Sequence, residues 1–259
     1  MTDELLVHRT AGVATVTLHR PSRRNALSAA LVLQLERLLQ QLDLEPGIGC
    51  LVLAGSAPGF CAGSDLKELA LLDLQGMASH ESRTARVARS IGMMRRPVLA
   101  AVDGFAMGGG FCLAAACDLV VTSPHCKWHL PEVQIGWIPP WGLESLVHRC
   151  GAVTARRLTW GDSPIDGTQA QQLGVADIVV PAGQVDTAAH AHAVRLAALP
   201  PIAVAATKRY FARHLMARGE AQDQEANHLF ADNCQHEAAR TTLRRYRFAG
   251  ASVPAGVRQ

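Results

Sequence analysis

Two short glycine-containing turns constrain this chain more than any other feature of its sequence. Residues 60–66 read Phe-Cys-Ala-Gly-Ser-Asp-Leu and residues 107–111 read Met-Gly-Gly-Gly-Phe, and each turn follows an apolar, β-branched run and opens a helix. Such a turn leaves backbone N–H groups unpaired at the start of the helix. Two of these donors converging on one point would stabilise an oxygen that gains negative charge, so the pattern indicates chemistry on a carbonyl group.

Alternating strands and helices are predicted through about residue 180. The alternating run at 13–18 predicts a strand paired with residues 5–9, because β-branched residues at every second position are typical of a half-buried strand. Ser28 is a suitable N-cap for an amphipathic helix that ends near residue 44, before Pro46-Gly47. Further buried strands are predicted at 50–54, 98–102 and 119–122. Residues 202–248 are rich in Ala and Arg and contain no Pro, which predicts two or three helices.

Composition excludes several classes of function. A net charge of +3 over 259 residues is too small to indicate a nucleic-acid-binding protein. Seven cysteines with no Cys-x-x-Cys pair indicate neither a disulfide framework nor a structural zinc site, and we expect no metal. The N-terminus has no signal-peptide pattern and no apolar run is long enough to span a membrane. We therefore expect a cytoplasmic protein with no membrane or nucleic-acid partner.

Five separated motifs resemble those of the enoyl-CoA hydratase/isomerase (crotonase) family. Besides the two glycine turns, they are Asn-Ala-Leu at 25–27, Cys-Asp-Leu at 117–119 and Leu-Pro-Glu-Val at 130–133, in the family's order and spacing. The resemblance implies an α/β fold: a crotonase-like spiral of repeated ββα units over residues 1–199. It also implies a helical C-terminal region over 200–250 that forms a homotrimer or a dimer of trimers, and residues 251–259 read as a disordered tail.

The resemblance implies an acyl-CoA thioester as the substrate, with coenzyme A entering as part of it and no permanently bound cofactor. Matching the motifs places the thioester oxygen between the backbone N–H groups of Ala62 and Gly109. Arg23 and Arg24 lie in the family's CoA-contacting turn, where two cations suit a phosphate-bearing ligand or, equally, a solvated loop. The other substrate-contacting positions implied by the resemblance are Ala26, Gly63, Ser64, Asp65, Leu66, Cys112 and Trp137. An acidic residue such as Asp65 is also favourable in a first helical turn without any ligand.

Glu132 matches the family's second catalytic glutamate. Its neighbours in the sequence are apolar, and partial desolvation would raise its pKa and favour acid–base catalysis near neutral pH. The family's hydratases carry another glutamate two residues beyond the last glycine of the second turn, where this chain has Cys112. A single carboxylate can still move a proton between carbons, which resembles the isomerase branch. Cys112 itself is either a nucleophile or, more in keeping with buried cysteines, an inert packing residue.

The segment after Glu132 also departs from the family pattern. It contains Pro140, which has no backbone N–H at a place where hydratases help to hold water, and two tryptophans, Trp137 and Trp141. The tryptophans shape a pocket for an aromatic or cyclic acyl group, as in the family's hydratase-lyases, or belong to the core or to a subunit interface. Three functions follow: an isomerase-like or lyase-like enzyme with one glutamate, a hydratase without the first glutamate, and a CoA-thioester-binding protein without fast chemistry.

Overall fold

A six-stranded sheet organises the first two thirds of the chain in the computed structural model, which describes residues 4–216 and 218–250. The strands of the described residues are β1 (Leu5–Thr10), β2 (Val13–Leu18), β3 (Cys50–Gly55), β4 (Val98–Val102), β5 (Phe105–Met107), β6 (Leu119–Thr122), β7 (Lys127–His129) and β8 (Ile178–Val179). The sheet order is β1-β2-β3-β4-β6-β8, and β5 pairs with β7 in a separate two-stranded sheet. Only β1 and β2 are antiparallel; every other pair is parallel.

Helices connect the parallel strands and form the C-terminal region. Those of the described residues are α1 (Ala29–Leu44), α2 (Leu66–Leu69), α3 (Leu74–Met93), α4 (Gly109–Ala115), α5 (Leu143–Thr159), α6 (Gly167–Gln172), α7 (Val185–Ala197), α8 (Pro201–Met216), α9 (Gly219–Asn233) and α10 (Glu237–Gly250). Ser28 caps α1 as predicted, because its side chain accepts the Leu31 N–H at 3.0 Å. The predicted α/β fold is confirmed, as are all the predicted strands and the helices of residues 202–248.

The central strands are buried on both faces, because alternate side chains enter different clusters of the core. From β3, Leu51 and Leu53 face α1 and α3, whereas Cys50 and Val52 face α7. The α7 side of the sheet is covered by small and β-branched residues, which let this helix lie close to the strands. The first glycine turn therefore follows a strand of this doubly covered sheet, and the second follows β5 of the two-stranded sheet.

The C-terminal helices fold back onto the core. Lys208 on α8 donates to the Ile91 and Arg96 carbonyls, both at 3.0 Å, and pairs with Asp118 at 2.5 Å. Asn227 on α9 donates to the Ala78 carbonyl of α3 at 2.8 Å. The predicted tail at 251–259 lies outside the described residues, and trimerisation through residues 200–250 stays a prediction. None of the described helices is both long and apolar enough to cross a membrane.

Candidate active site

The two glycine turns meet beside the segment that carries Asn-Ala-Leu. Leu27 donates its N–H to the Gly63 carbonyl at 2.8 Å and accepts the Asp65 N–H at 3.1 Å. On the other side, the Met107 N–H bonds to the Cys61 carbonyl at 2.9 Å. The turns touch, since a Cβ added to Gly63 would lie only 2.9 Å from the Gly109 nitrogen. Hydrogen bonds between distant segments thus bring the two glycine turns together, although more than forty residues separate them in the sequence.

The predicted donor Ala62 is wrong, because its N–H is already given to the Arg24 carbonyl at 3.1 Å. Ser64 supplies the donor of this turn that has no acceptor among the described residues: the Gly63 carbonyl and the Asp65 N–H bond to Leu27, so the Ser64 N–H points to the opposite side. Gly109 opens α4, and its N–H has no acceptor among the described residues. The donor pair is therefore Ser64 and Gly109. Gly63 has a φ of +87°, and this left-handed residue sets the direction of the next N–H.

Glu132 places its carboxyl group against the second turn. A Cβ on Gly108 would lie 2.6 Å from Glu132 Oε1, so only glycine leaves room for the carboxyl group there. Glu132 is 6% exposed, and its buried Oε2 atom has no hydrogen-bond partner among the described residues. Burial raises the pKa of Glu132 to about 8, and the charge of Glu81 adds to the rise. A buried carboxyl group with no partner is costly, which makes it a candidate for chemistry.

The donors and the carboxyl group line one cavity of about 50 Å³. Its lining includes the predicted site residues Ala62, Gly63, Ser64, Leu66, Gly109, Cys112, Glu132 and Trp137. It also includes residues that sequence reasoning did not assign to the site, namely Leu69, Glu81, Gly108, Pro131, Ile135 and Pro139. Pro140 and Trp141, for which the sequence left a role at the site open, line the cavity as well. Polar donors and one unpaired acid in a largely apolar cavity fit a small ligand that carries a carbonyl group.

Comparison with known proteins identifies the family of the chain. The family model described as enoyl-CoA hydratase/isomerase matches residues 8–249. The chain belongs to the enoyl-CoA hydratase/isomerase family. A 2,3-dehydroadipyl-CoA hydratase from Escherichia coli K12 is 35% identical over 208 residues, covering 80% of this chain and 81% of the relative. A solved enoyl-CoA hydratase/isomerase from Mycobacterium paratuberculosis superimposes with a TM-score of 0.86 at 27% identity, covering 95% of this chain and 99% of the other. For an enoyl-CoA hydratase from Bacillus anthracis the TM-score is 0.79 at 27% identity, with coverages of 87% and 90%.

Asp65 does not line the cavity, and its contact with substrate stays a prediction. Its carboxylate pairs with Arg20 at 3.1 Å and accepts the N–H groups of Lys67 and Glu68 as the N-cap of α2. This is the structural role that the sequence left open. The predicted binding residue Ala26 is also buried away from the cavity, where its carbonyl accepts a hydrogen bond from Arg20.

Arg23 and Arg24 are exposed and have no ion-pair partner among residues 4–216 and 218–250. The Arg24 guanidinium lies over the Phe105 ring, 4.5 Å from its centroid. Because the Arg24 carbonyl accepts the Ala62 N–H, the arginine turn lies directly beside the cavity. The contact of Arg23 and Arg24 with coenzyme A stays a prediction. Neither guanidinium forms an ion pair within the described residues, so both are available for a phosphate group.

Cys112 occupies the position of the missing family glutamate and is buried. Burial raises the pKa of its thiol well above the ordinary value, and the nearby carboxylates of Glu132, Asp223 and Glu81 raise it further. The thiol therefore stays protonated near neutral pH, whereas a nucleophilic cysteine must be a thiolate. This environment supports the inert, packing role.

His129 does not line the cavity. Its backbone carbonyl holds the second turn by accepting the Gly108 N–H at 2.8 Å.

Sequence reasoning missed two acidic residues that shape the site. Glu81 on α3 is 1% exposed and accepts the Trp141 Nε1–H at 2.8 Å. Asp223 on α9 accepts the Gly142 N–H at 2.9 Å and pairs with Arg89. Both acids lie in polar helical stretches, and no local pattern separates them from acids on a solvated face. Only the packing of α3 and α9 against the loop after Glu132 brings them to the site.

Proposed function

We propose that this chain isomerises the double bond of an enoyl-CoA thioester, moving one proton between carbon 2 and carbon 4 with Glu132. The observation that carries the proposal is the Glu132 carboxyl group, whose buried Oε2 has no hydrogen-bond partner among the described residues, in one cavity with the Ser64 and Gly109 donors. The neutral thiol of Cys112 stands at the position where the family's hydratases carry their other glutamate. One carboxyl group is enough for this reaction, since the proton that leaves one carbon returns to another.

In this mechanism the thioester oxygen accepts the N–H groups of Ser64 and Gly109. The Glu132 carboxylate removes a proton from carbon 2 of a 3-enoyl thioester, and the electron pair moves onto the oxygen as an enolate. The enolate then takes the same proton from Glu132 at carbon 4, and the double bond moves into conjugation with the carbonyl. Each donor of such a hole contributes about 3–4 kcal/mol of transition-state stabilisation. The positioned acid–base group contributes about 10²–10⁴-fold.

A pKa of about 8 suits Glu132 for this role. A group that must both take and give a proton works best when its pKa lies near the operating pH. The closed surroundings favour return of that proton to the substrate, because Pro140 offers no N–H to hold a water molecule in the cavity. Trp137 and Trp141 also line this cavity and give it apolar walls on the side of the loop after Glu132.

Hydration of a 2-enoyl thioester is the second candidate function. Two observations favour it: Glu81 gives the cavity a second carboxyl group, and the relatives named above include proteins described as hydratases. In that reaction Glu81 and Glu132 together would hold the water molecule and deliver its parts. The hydrogen bond from Trp141 already occupies one oxygen of Glu81, which leaves Oε1 for such a role.

The deciding experiment supplies 3-enoyl-CoA and 2-enoyl-CoA in parallel and follows the ultraviolet absorbance of the conjugated thioester. The proposal expects conjugation to appear from the 3-enoyl substrate and little loss of conjugation from the 2-enoyl substrate. Rapid loss from the 2-enoyl substrate, abolished in Glu81→Gln, would support hydration instead. Activity on neither substrate, together with CoA-thioester binding and no exchange of the α-proton with solvent, would leave the binding-only function.

A further inference from the structure

The Trp141 side chain is fixed at the inner end of the cavity. The indole is 1% exposed, and its Nε1–H donates to Glu81 Oε2 at 2.8 Å. Because a buried indole N–H without an acceptor is costly, this hydrogen bond selects one orientation of the ring. Glu81 comes from the middle of α3, a rigid helix, so the ring is held against an element that cannot move with the loop.

The backbone next to Trp141 is held as firmly as its ring. The Gly142 N–H bonds to Asp223 at 2.9 Å, and Asp223 is paired with Arg89 of α3. Gly142 has a φ of +79°, and a Cβ there would lie 2.6 Å from the Cβ of Cys112. The small side chain of Cys112 thus makes room for the loop that carries the tryptophan. Pro139 and Pro140 restrict the chain on the other side.

The ring lies against one of the two oxyanion donors. A Cβ added to Gly109 would lie 3.0 Å from Cζ2 of Trp141, so the indole edge touches the backbone that supplies the second N–H. The remaining cavity of about 50 Å³ has room for only a few water-sized groups. An acyl chain whose carbonyl binds at Ser64 and Gly109 therefore enters a cavity that the Trp141 indole lines beside the Gly109 donor.

We propose that Trp141, positioned by Glu81, is the specificity-determining wall of the acyl site and that it favours short acyl groups over long ones. This inference rests on the proposed function only in placing the thioester carbonyl at Ser64 and Gly109. Trp141 limits the length of the acyl chain by contact. Glu81 acts through Trp141 and is a positioning residue in this role.

The test measures binding rather than turnover, with saturated acyl-CoA thioesters from butanoyl to decanoyl and isothermal titration calorimetry. The wild-type chain is expected to bind butanoyl-CoA at least about tenfold more tightly than octanoyl-CoA, since one methylene group in a closed pocket changes discrimination by about 10-fold or more. Trp141→Ala is expected to remove or invert this preference. Glu81→Leu, which removes the acceptor, is expected to weaken it, and Glu81→Gln, which keeps an acceptor, to preserve it.

Trp160→Ala is the matched control, because Trp160 is 59% exposed and lies outside this cavity. The wild-type series decides the proposal even if Trp141→Ala does not fold: equal binding of butanoyl-CoA and octanoyl-CoA would overturn it. An unchanged preference in folded Trp141→Ala would overturn it as well. Size-selective binding without any turnover would contradict the proposed isomerase function but support the role of Trp141 as the wall of the acyl site. The two proposals can therefore fail separately.

Discussion

Asp65 and Glu132 are two carboxyl groups that are equally buried, each 6% exposed, yet their surroundings are opposite. Asp65 pairs with Arg20 and accepts two backbone N–H groups at the start of α2. Glu132 has a buried oxygen with no partner in the described part of the chain, and burial raises its pKa to about 8. Burial by itself therefore does not identify a catalytic acid. The presence or absence of hydrogen-bond partners marks Asp65 as a structural group and Glu132 as the candidate for chemistry.

The largest expected effect is on turnover in Glu132→Gln. The amide keeps the size of the side chain but cannot carry the proton, so we expect kcat to fall about 10²–10⁴-fold with little change in CoA-thioester affinity. The measurement is the ultraviolet assay together with calorimetric binding. Glu144→Gln is the control, since Glu144 pairs with His148 outside the cavity. Full activity in Glu132→Gln would remove the distinction between the two carboxyl groups.

The next effect is on the pH dependence of stability. The folded pKa of Glu132 is raised to about 8 from an ordinary value of 4.5, so the folded chain holds this proton more strongly than the unfolded chain. The resulting stability is fully present below about pH 4.5 and is lost as the pH rises through about 8. We expect the loss to be on the order of a few kcal/mol, and Glu132→Gln to remove it. Urea unfolding of the wild-type chain and of Glu132→Gln at pH 5 and pH 8.5 measures the loss of stability and its removal.

The same titration predicts how activity changes with pH. Glu132 must be ionised to remove the first proton, so kcat/KM is expected to rise with pH and to level off above about 8. Initial rates on the 3-enoyl substrate between pH 6 and pH 9.5 measure the profile. A flat profile would contradict the raised pKa of Glu132.

Asp65→Asn is expected to affect stability and to leave chemistry nearly unchanged. Asparagine can still cap α2, but it leaves Arg20 with Glu4 and Glu68 alone. We expect a loss of about 1–3 kcal/mol in the free energy of unfolding, because a largely buried ion pair is broken. Urea unfolding followed by circular dichroism gives the value, with Glu45→Gln at the exposed Arg9 pair as the comparison. A loss of kcat as large as in Glu132→Gln would contradict a structural role.

The smallest effect is expected at Cys112. Cys112→Ala should change kcat by about twofold or less, because a thiol with a raised pKa takes no part in acid–base or nucleophilic steps. A thiol reagent should label the partly exposed Cys150 well before the buried Cys112. A large loss of kcat in folded Cys112→Ala would show that Glu132 does not act alone among the ionisable groups of the cavity.

The sequence predicts those parts of the fold and site that depend on neighbouring residues. The α1 cap at Ser28, the strands and the position of Glu132 all follow from local patterns or motifs, and the structure agrees. Ala62 was wrong by two residues because the direction of the free N–H depends on the positive φ of Gly63 and on pairing with Leu27. Glu81 could not be predicted, since it reaches the cavity only after α3 packs against a loop about sixty residues further along the chain.

The Asp223–Gly142 hydrogen bond has a consequence for how the protein is made. Asp223 follows Gly142 by 81 residues, so it is synthesised long after both glycine turns and Glu132. A nascent chain that has just released Glu132 from the ribosome still lacks α9, whose Asp223 holds the backbone beside Trp141. With Trp141 as the proposed wall of the acyl site, we expect the ability to select an acyl chain to be acquired only near the end of translation.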